Sequence, residues 1–134
     1  NNIHILNDES VQIAKYITVV GRQDAQTASN RKSAQALMQS IDSKQYVIML
    51  DHEPTDYINE ANSHPDLVLS GHTHGGQMFP IGITGELSGA NDMTYGIKTM
   101  KDTTFIVNSG ISDWAIKFKT GGAKAEIGVI DIKK

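Results

Sequence analysis

The fold is decided by residues 46–70, which read YVIMLDHEPTDYINEANSHPDLVLS. This stretch begins with the apolar run Tyr46–Leu50 and ends with Leu67–Ser70, and neither run alternates polar with apolar residues. Unbroken apolar runs of this length are typical of strands that are covered on both faces. Between them, Thr55 predicts the start of a short helix, because threonine is a favourable N-cap. The stretch therefore predicts a strand, helix and strand unit with two parallel strands.

The rest of the chain adds further elements to this unit. A helix is predicted to begin at Ser33, because the apolar residues that follow it in the sequence recur at helical spacing. Residues 71–96 are rich in glycine without a clear period and predict a long loop. Runs of β-branched and apolar residues predict further strands at residues 3–6, 11–13, 16–20, 105–110 and 126–132. The predicted fold class is α/β, with a mixed β-sheet and a few helices in a single domain over residues 1–134.

Composition excludes several classes of function. The chain has 134 residues, of which 39% are hydrophobic and 20% charged, as in ordinary globular proteins. Its 12 Lys and Arg against 15 Asp and Glu give a net charge of −3, so no nucleic-acid partner is expected. The absence of cysteine excludes disulfides, thiolate metal sites and a cysteine nucleophile. A metal in this protein must therefore be bound by His, Asp, Glu or Asn.

Three of the five histidines follow the two strands of the central unit. His52 comes directly after the first strand, and His72 and His74 come directly after the second. Because parallel strands end at one edge of a sheet, where open α/β folds bind ligands, these histidines are expected to converge. In extended geometry the side chains of His72 and His74 would share a face. Neutral imidazole is a common ligand of transition metals, so the three form a candidate metal site.

The other histidines do not enter this candidate site. His4 and His64 are interpreted as solvated or hydrogen-bonded side chains, since a lone histidine needs no metal to explain it. Asp51 and Glu53 flank His52 and could orient it through hydrogen bonds, but we interpret them as the ordinary polarity of a strand end. Trp114 is interpreted either as a substrate contact or as a packed side chain.

The motifs around these histidines resemble a known family. Residues 51–54, DHEP, and residues 67–77, LVLSGHTHGGQ, look like the last two motifs of the calcineurin-like metallophosphoesterases, especially the bacterial branch that reads G-H-T-H-G-G-Q. Weaker similarity continues through residues 19–22, 95–96, 107–111 and 126–127. The resemblance implies the C-terminal half of a four-layer α/β/β/α sandwich. It also implies the function of the whole family fold, which is hydrolysis of phosphate mono- or diesters at a dinuclear metal site.

The resemblance assigns metal ligands to this chain but no catalytic residue. In the complete enzyme, His52 and His72 would bind one divalent metal ion and His74 the other, the metal being manganese, iron, zinc or nickel. The family's earlier motifs, D-x-H, G-D-x-x-D and G-N-H, do not occur in this sequence. The chain is therefore expected to be a C-terminal fragment that is inactive alone and binds at most one metal ion.

The expected partners follow from the same comparison. They are a phosphate-ester substrate, the missing N-terminal half of the domain, and further copies of the chain joined through exposed strands. The family includes membrane-anchored and exported bacterial members, so the sequence leaves the cellular location open. Two alternatives remain. One is a mononuclear metal-binding module that uses the three histidines without phosphoesterase activity, and the other is an interaction domain that binds no metal.

Overall fold

The computed structural model describes residues 3–112, 120 and 124–133, without the side chains of residues 81 and 82. Within these ranges six strands form one sheet, and three short helices accompany it. In chain order the elements are β1 Glu9–Ala14, β2 Ile17–Gly21, α1 Ala34–Met38, β3 Tyr46–Leu50, α2 Tyr57–Asn62, β4 Leu67–Ser70, α3 Ile81–Leu87, β5 Gly96–Met100 and β6 Thr103–Val107.

The strands form a six-stranded sheet in the order β1-β2-β3-β4-β6-β5. The four central strands are parallel, while the edge strands β1 and β5 pair antiparallel with their neighbours. The segments that follow β2, β3, β4 and β6 therefore meet at one edge of the sheet. The predicted fold class, α/β with a mixed sheet and a few helices, is confirmed, as is the unit of two parallel strands around a helix at residues 46–70.

One face of the sheet is covered by α1 and α2. Leu37 of α1 and Tyr57 of α2 are buried against it, and the Tyr57 ring stacks on Phe105 with the ring centroids 4.0 Å apart. The α1 helix begins as predicted, because the Ser33 hydroxyl accepts a hydrogen bond of 3.1 Å from the amide of Ala36. The sheet residues buried on this face, aligned across the four parallel strands, are Val20, Met49, Val68 and Phe105.

The opposite face of the sheet is apolar but largely open. Leu50 is 41% exposed and Ile97 is 72% exposed, although both point from the sheet beside other aliphatic residues. Part of this face borders a cavity of about 350 Å³ that Val129 and Ile130 also line. We call this surface the open face, and it consists of Val19, Ile48, Leu50, Leu69, Ile97 and Ile106.

Two of the predicted strands are wrong. Residues 3–6 form no strand, because this segment crosses the end of β2, where a Cβ atom at Gly21 would clash with Leu6. Residues 124–133 also form no strand. Their alternating apolar side chains are unpaired, with Ile127 80% and Val129 90% exposed. The alternation is real, but a strand needs a neighbour with which to pair.

The glycine-rich region holds more regular structure than its sequence predicts. Residues 71–96 contain α3, which carries two glycines and so lacks an apolar helical period. The strand β5 is also not predicted, because its sequence GIKTM contains no run of consecutive apolar residues. The α2 helix begins one residue later than expected, with Asp56 rather than Thr55 at its N-cap.

Candidate functional site

His52 and His72 lie side by side at the carboxyl ends of β3 and β4. Their ring centroids are 5.1 Å apart and their ring planes are perpendicular. The backbone pairing of the two strands continues into these segments. The amide of Asp51 donates to the carbonyl of Leu69 and the amide of Gly71 to that of His52, both at 3.1 Å. The sheet thus brings together two of the three predicted ligands.

The backbone at His72 and His74 is left-handed rather than extended. Their φ angles are 60° and 50°, in a region that costs non-glycine residues about 1 to 3 kcal/mol. Thr73 lies between them, and its hydroxyl donates to the carbonyl of Thr94, which ties this turn to the segment before β5. The amide of Gly76 donates to the carbonyl of Thr73 at 2.9 Å. The expectation that an extended backbone places both imidazoles on one face is therefore wrong.

All three predicted histidines border one open cavity of about 690 Å³. The cavity lies above the carboxyl edge of the parallel strands, where a ligand of an open α/β sheet is expected. His4 and His64 do not line it, in agreement with their exclusion from the candidate site. The polar residues that line it include Gln26, His52, Glu53, His72, His74 and Asn91.

The three histidines do not form a complete metal site by themselves. The Nδ1 atom of His74 lies 3.3 Å from the backbone carbonyl oxygen of Ser112. Within the part of the chain that the structure describes, no group of three or more His, Asp or Glu side chains is placed to bind a metal. Two adjacent imidazoles fit a transition metal by their donor chemistry, but such a metal needs further ligands.

A buried network of two arginines and four carboxylates supports the His52 segment. Arg22 donates from Nη1 to Asp51 at 2.8 Å and to Glu60 at 2.9 Å. Its Nη2 donates to Asp56 at 3.0 Å. The side chains of Arg22, Asp51 and Glu60 are 4% exposed or less. We call this set the arginine–carboxylate network: Arg22, Arg31, Asp51, Glu53, Asp56 and Glu60.

The carboxylates beside His52 belong to this network. Arg31 forms ion pairs with both, a close one with Asp51 and one with Glu53 at 3.6 Å. The interpretation of Asp51 and Glu53 as ordinary strand-end polarity is therefore wrong, because both are buried and paired. No sequence signal marks the pairing, since the arginines lie 20 to 29 residues away. The two residues flanking His52 are thus fixed to the protein interior.

Burial governs the ionisation of this network. The pKa of Glu60 is raised to about 8 by its burial and by its contact with Asp51, against the opposing effect of Arg22. Burial alone would lower the pKa of Arg22, but the charges of Asp51 and Glu60 outweigh it and raise the pKa above its ordinary value. Glu60 is consequently mostly protonated at neutral pH while Arg22 stays charged.

We expect stability to depend on the ionisation of Glu60. A carboxyl whose pKa is raised on folding stabilises the protein fully below its unfolded pKa of 4.5, and this contribution is lost as pH rises through about 8. The Glu60→Gln variant cannot ionise, so its free energy of unfolding should fall less between these pH values than that of the wild type. Urea denaturation of both proteins across this range measures the difference, and parallel pH profiles would contradict the assignment.

The segment between β2 and α1 reaches over the cavity and carries a residue that sequence reasoning missed. The side-chain amide nitrogen of Gln26 lies 3.3 Å from Nε2 of His72. Asp24 lies at the surface of this segment and accepts hydrogen bonds from the amides of Gln26 and Thr27 at 3.0 and 2.9 Å. An Asp followed three residues later by Thr is a turn signal that could have indicated an ordered loop.

Known proteins resemble this chain over most of its length. An uncharacterized metallophosphoesterase of Aquifex aeolicus is 38% identical over 84 residues, which is 60% of this chain and 32% of the relative. One from Helicobacter pylori is 35% identical over 124 residues, which is 88% of this chain and 32% of the relative. This chain is homologous to part of the metallophosphoesterases. A third metallophosphoesterase, YkoQ of Bacillus subtilis, is 28% identical over 129 residues and 46% of its own length.

The relatives are longer than this chain. The chain spans about a third of the metallophosphoesterases from Aquifex aeolicus and Helicobacter pylori. No protein-family model matches the chain, and no solved structure gives a significant match. The family name implies divalent metal ions, which agrees with the donor chemistry of the adjacent imidazoles.

One relative is a membrane protein, so the helices of this chain were compared with the length of a membrane span. A bovine transmembrane protein with a metallophosphoesterase domain is 36% identical over 83 residues. Of the helices that the structure describes in this chain, none is both long and apolar enough to cross a membrane. Trp114, a candidate substrate contact, lies outside the described residues.

Proposed function

We propose that this chain is the C-terminal part of a metal-dependent phosphoesterase that hydrolyses a phosphate mono- or diester. The observation that carries the proposal is the pairing of His52 and His72, whose rings lie 5.1 Å apart at the edge of the parallel strands. In the complete enzyme these two imidazoles would bind one divalent metal ion. His74, on the same cavity, would bind a second. The remaining ligands would come from the upstream part of the protein.

The chemistry divides between the metal ions and the chain. When bound, a pair of divalent ions lowers the pKa of water and neutralises charge on the phosphate oxygens. The chain itself contributes oriented imidazoles. Asp51 and Glu53 hold the His52 segment through the arginine–carboxylate network, and Thr73 holds the turn between His72 and His74. Pre-organised ligands bind metal without first losing side-chain entropy.

Hydrolysis of an aryl phosphate tests this proposal. The full-length protein loaded with manganese should release the aryl alcohol, whereas the isolated 134-residue chain should show about 1% of that rate or less, because each missing ligand removes transition-state stabilisation. The measurement is steady-state absorbance with equal amounts of metal-loaded protein. Comparable rates for both would contradict the need for upstream ligands, and no hydrolysis by either would contradict the phosphoesterase assignment.

A mononuclear metal-binding module is the second candidate. It is favoured by the adjacency of His52 and His72 without any upstream residue. Equilibrium dialysis of the isolated chain against zinc, followed by elemental analysis, distinguishes the two. One tightly bound ion per chain that is lost in His52→Ala favours the module, while weak binding that tightens in the full-length protein favours the shared site.

We propose further that the open face packs against the upstream part of the protein. The curated relatives are about three times longer than their match to this chain, so they contain chain enough for a covering layer. A sheet buries apolar surface on both sides only when a second layer covers it. Leu50 and Ile97 then become interior residues. In the isolated chain, the same face should drive self-association through apolar contact.

Charge placed on the open face tests this packing. Ile97→Asp in the full-length protein should lower the free energy of unfolding by about 3 kcal/mol, because it buries an unpaired carboxylate. Ile58→Asp is the matched control. Ile58 is 66% exposed against 72% for Ile97 and lies on α2, on the other side of the sheet. Equal, small effects of Ile97→Asp and Ile58→Asp on thermal denaturation would contradict the proposal. A sedimentation measurement that shows the isolated chain to be a monomer would also contradict it.

A further inference from the structure

The segment between β2 and α1 is fixed at both ends to the floor of the site. Arg22 and Arg31 bind Asp51 from the two ends of this segment. Near its centre, the amide of Ala25 donates to Oε2 of Glu53 at 3.0 Å. These contacts join the segment to the two residues that flank His52. We call residues 22–31 the strap.

Asp8 adds a second set of anchors. Its carboxylate accepts from the amide of Gln23 at 3.0 Å, near the start of the strap, and from the amide of Lys32 at 2.8 Å, just after its end. Asp8 is itself buried. Within the strap, the carboxylate of Asp24 closes a turn by accepting from Gln26 and Thr27. A segment this well anchored places its exposed side chains reproducibly.

Gln26 is the side chain that the strap presents to the cavity. Gln26 is exposed and lines the cavity together with the three histidines. Its amide nitrogen faces Nε2 of His72 at 3.3 Å. A carboxamide nitrogen donates hydrogen bonds and cannot bind a cation, so the group nearest to His72 is a donor. A neutral imidazole that accepts this hydrogen bond carries its own proton on Nδ1, and its Nε2 lone pair points towards Gln26.

The side-chain amide of Gln26 needs another hydrogen-bond acceptor once a metal ion binds the Nε2 lone pair of His72. If Nε2 binds a metal ion, the amide group of Gln26 loses its partner while remaining within a few ångströms of a positive charge. An anionic oxygen satisfies both groups at once, because it is attracted to the cation and accepts from the amide. Phosphate oxygens are such acceptors.

We propose that Gln26 positions the substrate by donating a hydrogen bond from its side-chain amide to a phosphate oxygen. This inference rests on the proposed phosphoesterase function. It makes Gln26 a positioning residue, supplied by the strap rather than by the histidine motifs. The strap therefore links substrate binding to the same buried arginines that support His52.

Phosphate binding by the full-length, metal-loaded protein tests the role of Gln26. Gln26→Ala removes the donor and should weaken the binding of inorganic phosphate about 10-fold, as expected for a hydrogen bond to a charged group. Gln26→Glu replaces the donor with a carboxylate and should weaken binding further, because like charges repel. Gln35→Ala, an exposed glutamine on α1 that does not line the cavity, is the matched control. Calorimetry gives the phosphate affinity, elemental analysis gives the metal content, and kinetics with an aryl phosphate gives KM and kcat.

The outcomes separate this inference from the proposed function. Weaker phosphate binding and a higher KM in both Gln26 variants, with unchanged metal content, support it. Unchanged phosphate affinity in Gln26→Ala overturns it, as does a wild-type protein that binds no phosphate. Loss of metal in Gln26→Ala, with retention in Gln26→Glu, also overturns it, because Gln26 would then be a metal ligand. If the wild type hydrolyses no ester but Gln26→Ala still weakens phosphate binding, only the phosphoesterase proposal fails.

Discussion

Replacing His72 with alanine in the full-length protein should lower kcat/KM for an aryl phosphate by about 1,000-fold, because metal-assisted catalysis supplies several kcal/mol of transition-state stabilisation. The metal content should fall by one equivalent. His52→Ala should produce the same two losses if the proposed shared ion is correct, since the two rings lie side by side at the edge of the sheet. If both residues bind one ion, as proposed, the double variant should be little worse than either single variant.

His4→Ala is the control for this experiment. His4 is exposed, lies before β1 and does not line the cavity, so its removal should change kcat/KM less than about 2-fold. Full activity in His72→Ala with an unaltered metal content would show that His72 is not a ligand. An inactive His72→Ala that retains all its metal would instead indicate a role in contact with the substrate.

The largest effect on stability should come from Arg22. Replacing Arg22 with methionine keeps much of its apolar stem but removes the cation that Asp51 and Glu60 share, so that Asp51 keeps only its ion pair with Arg31. Breaking a buried ion pair from one side typically costs about 3 to 5 kcal/mol. Because Arg31 still pairs with Asp51 and Glu60 is mostly protonated at neutral pH, we expect the free energy of unfolding of the full-length protein to fall by about 3 kcal/mol, the lower end of that range, as measured by urea denaturation at neutral pH.

The exposed ion pair between Lys133 and Asp131 is a suitable control for Arg22. The two side chains are 82% and 70% exposed, and such pairs contribute at most about 1 kcal/mol. Lys133→Met should accordingly change stability little. A loss in Arg22→Met as small as that in Lys133→Met would mean that water enters the network and screens its charges. Because Glu60 is protonated near neutral pH, Glu60→Gln should be milder than Arg22→Met.

The parts of the fold that sequence predicts are those governed by local patterns. The apolar runs at β3 and β4 identify strands regardless of their neighbours, although the expected cover on both faces is wrong for β3, where Leu50 is exposed. Ser33 marks a helix start through its own hydroxyl. Once the strands are parallel, the meeting of His52 and His72 follows from the geometry of a sheet. The strand predicted at residues 126–132 fails because pairing depends on a partner that local patterns do not reveal.

The site contains features that no local pattern encodes. The left-handed backbone of His72 and His74 depends on Thr73 binding Thr94, which lies 21 residues away. The burial of Asp51 depends on two distant arginines, and the approach of Gln26 to His72 spans 46 residues. Such contacts arise only when the chain folds back on itself. Sequence therefore predicted which histidines border one cavity but not the groups that hold them.

The backbone pairing that continues beyond β3 and β4 limits the insertions and deletions that the segments carrying His52 and His72 can accept. The amides of Asp51 and Gly71 continue the ladder to the histidines, so neighbouring strands, about 4.8 Å apart, set the distance between the rings. One residue inserted between Leu50 and His52 would turn the ring towards the opposite side of the sheet. Insertions among relatives should consequently fall in the turn between α2 and β4, and deletions at the histidine edge should be absent.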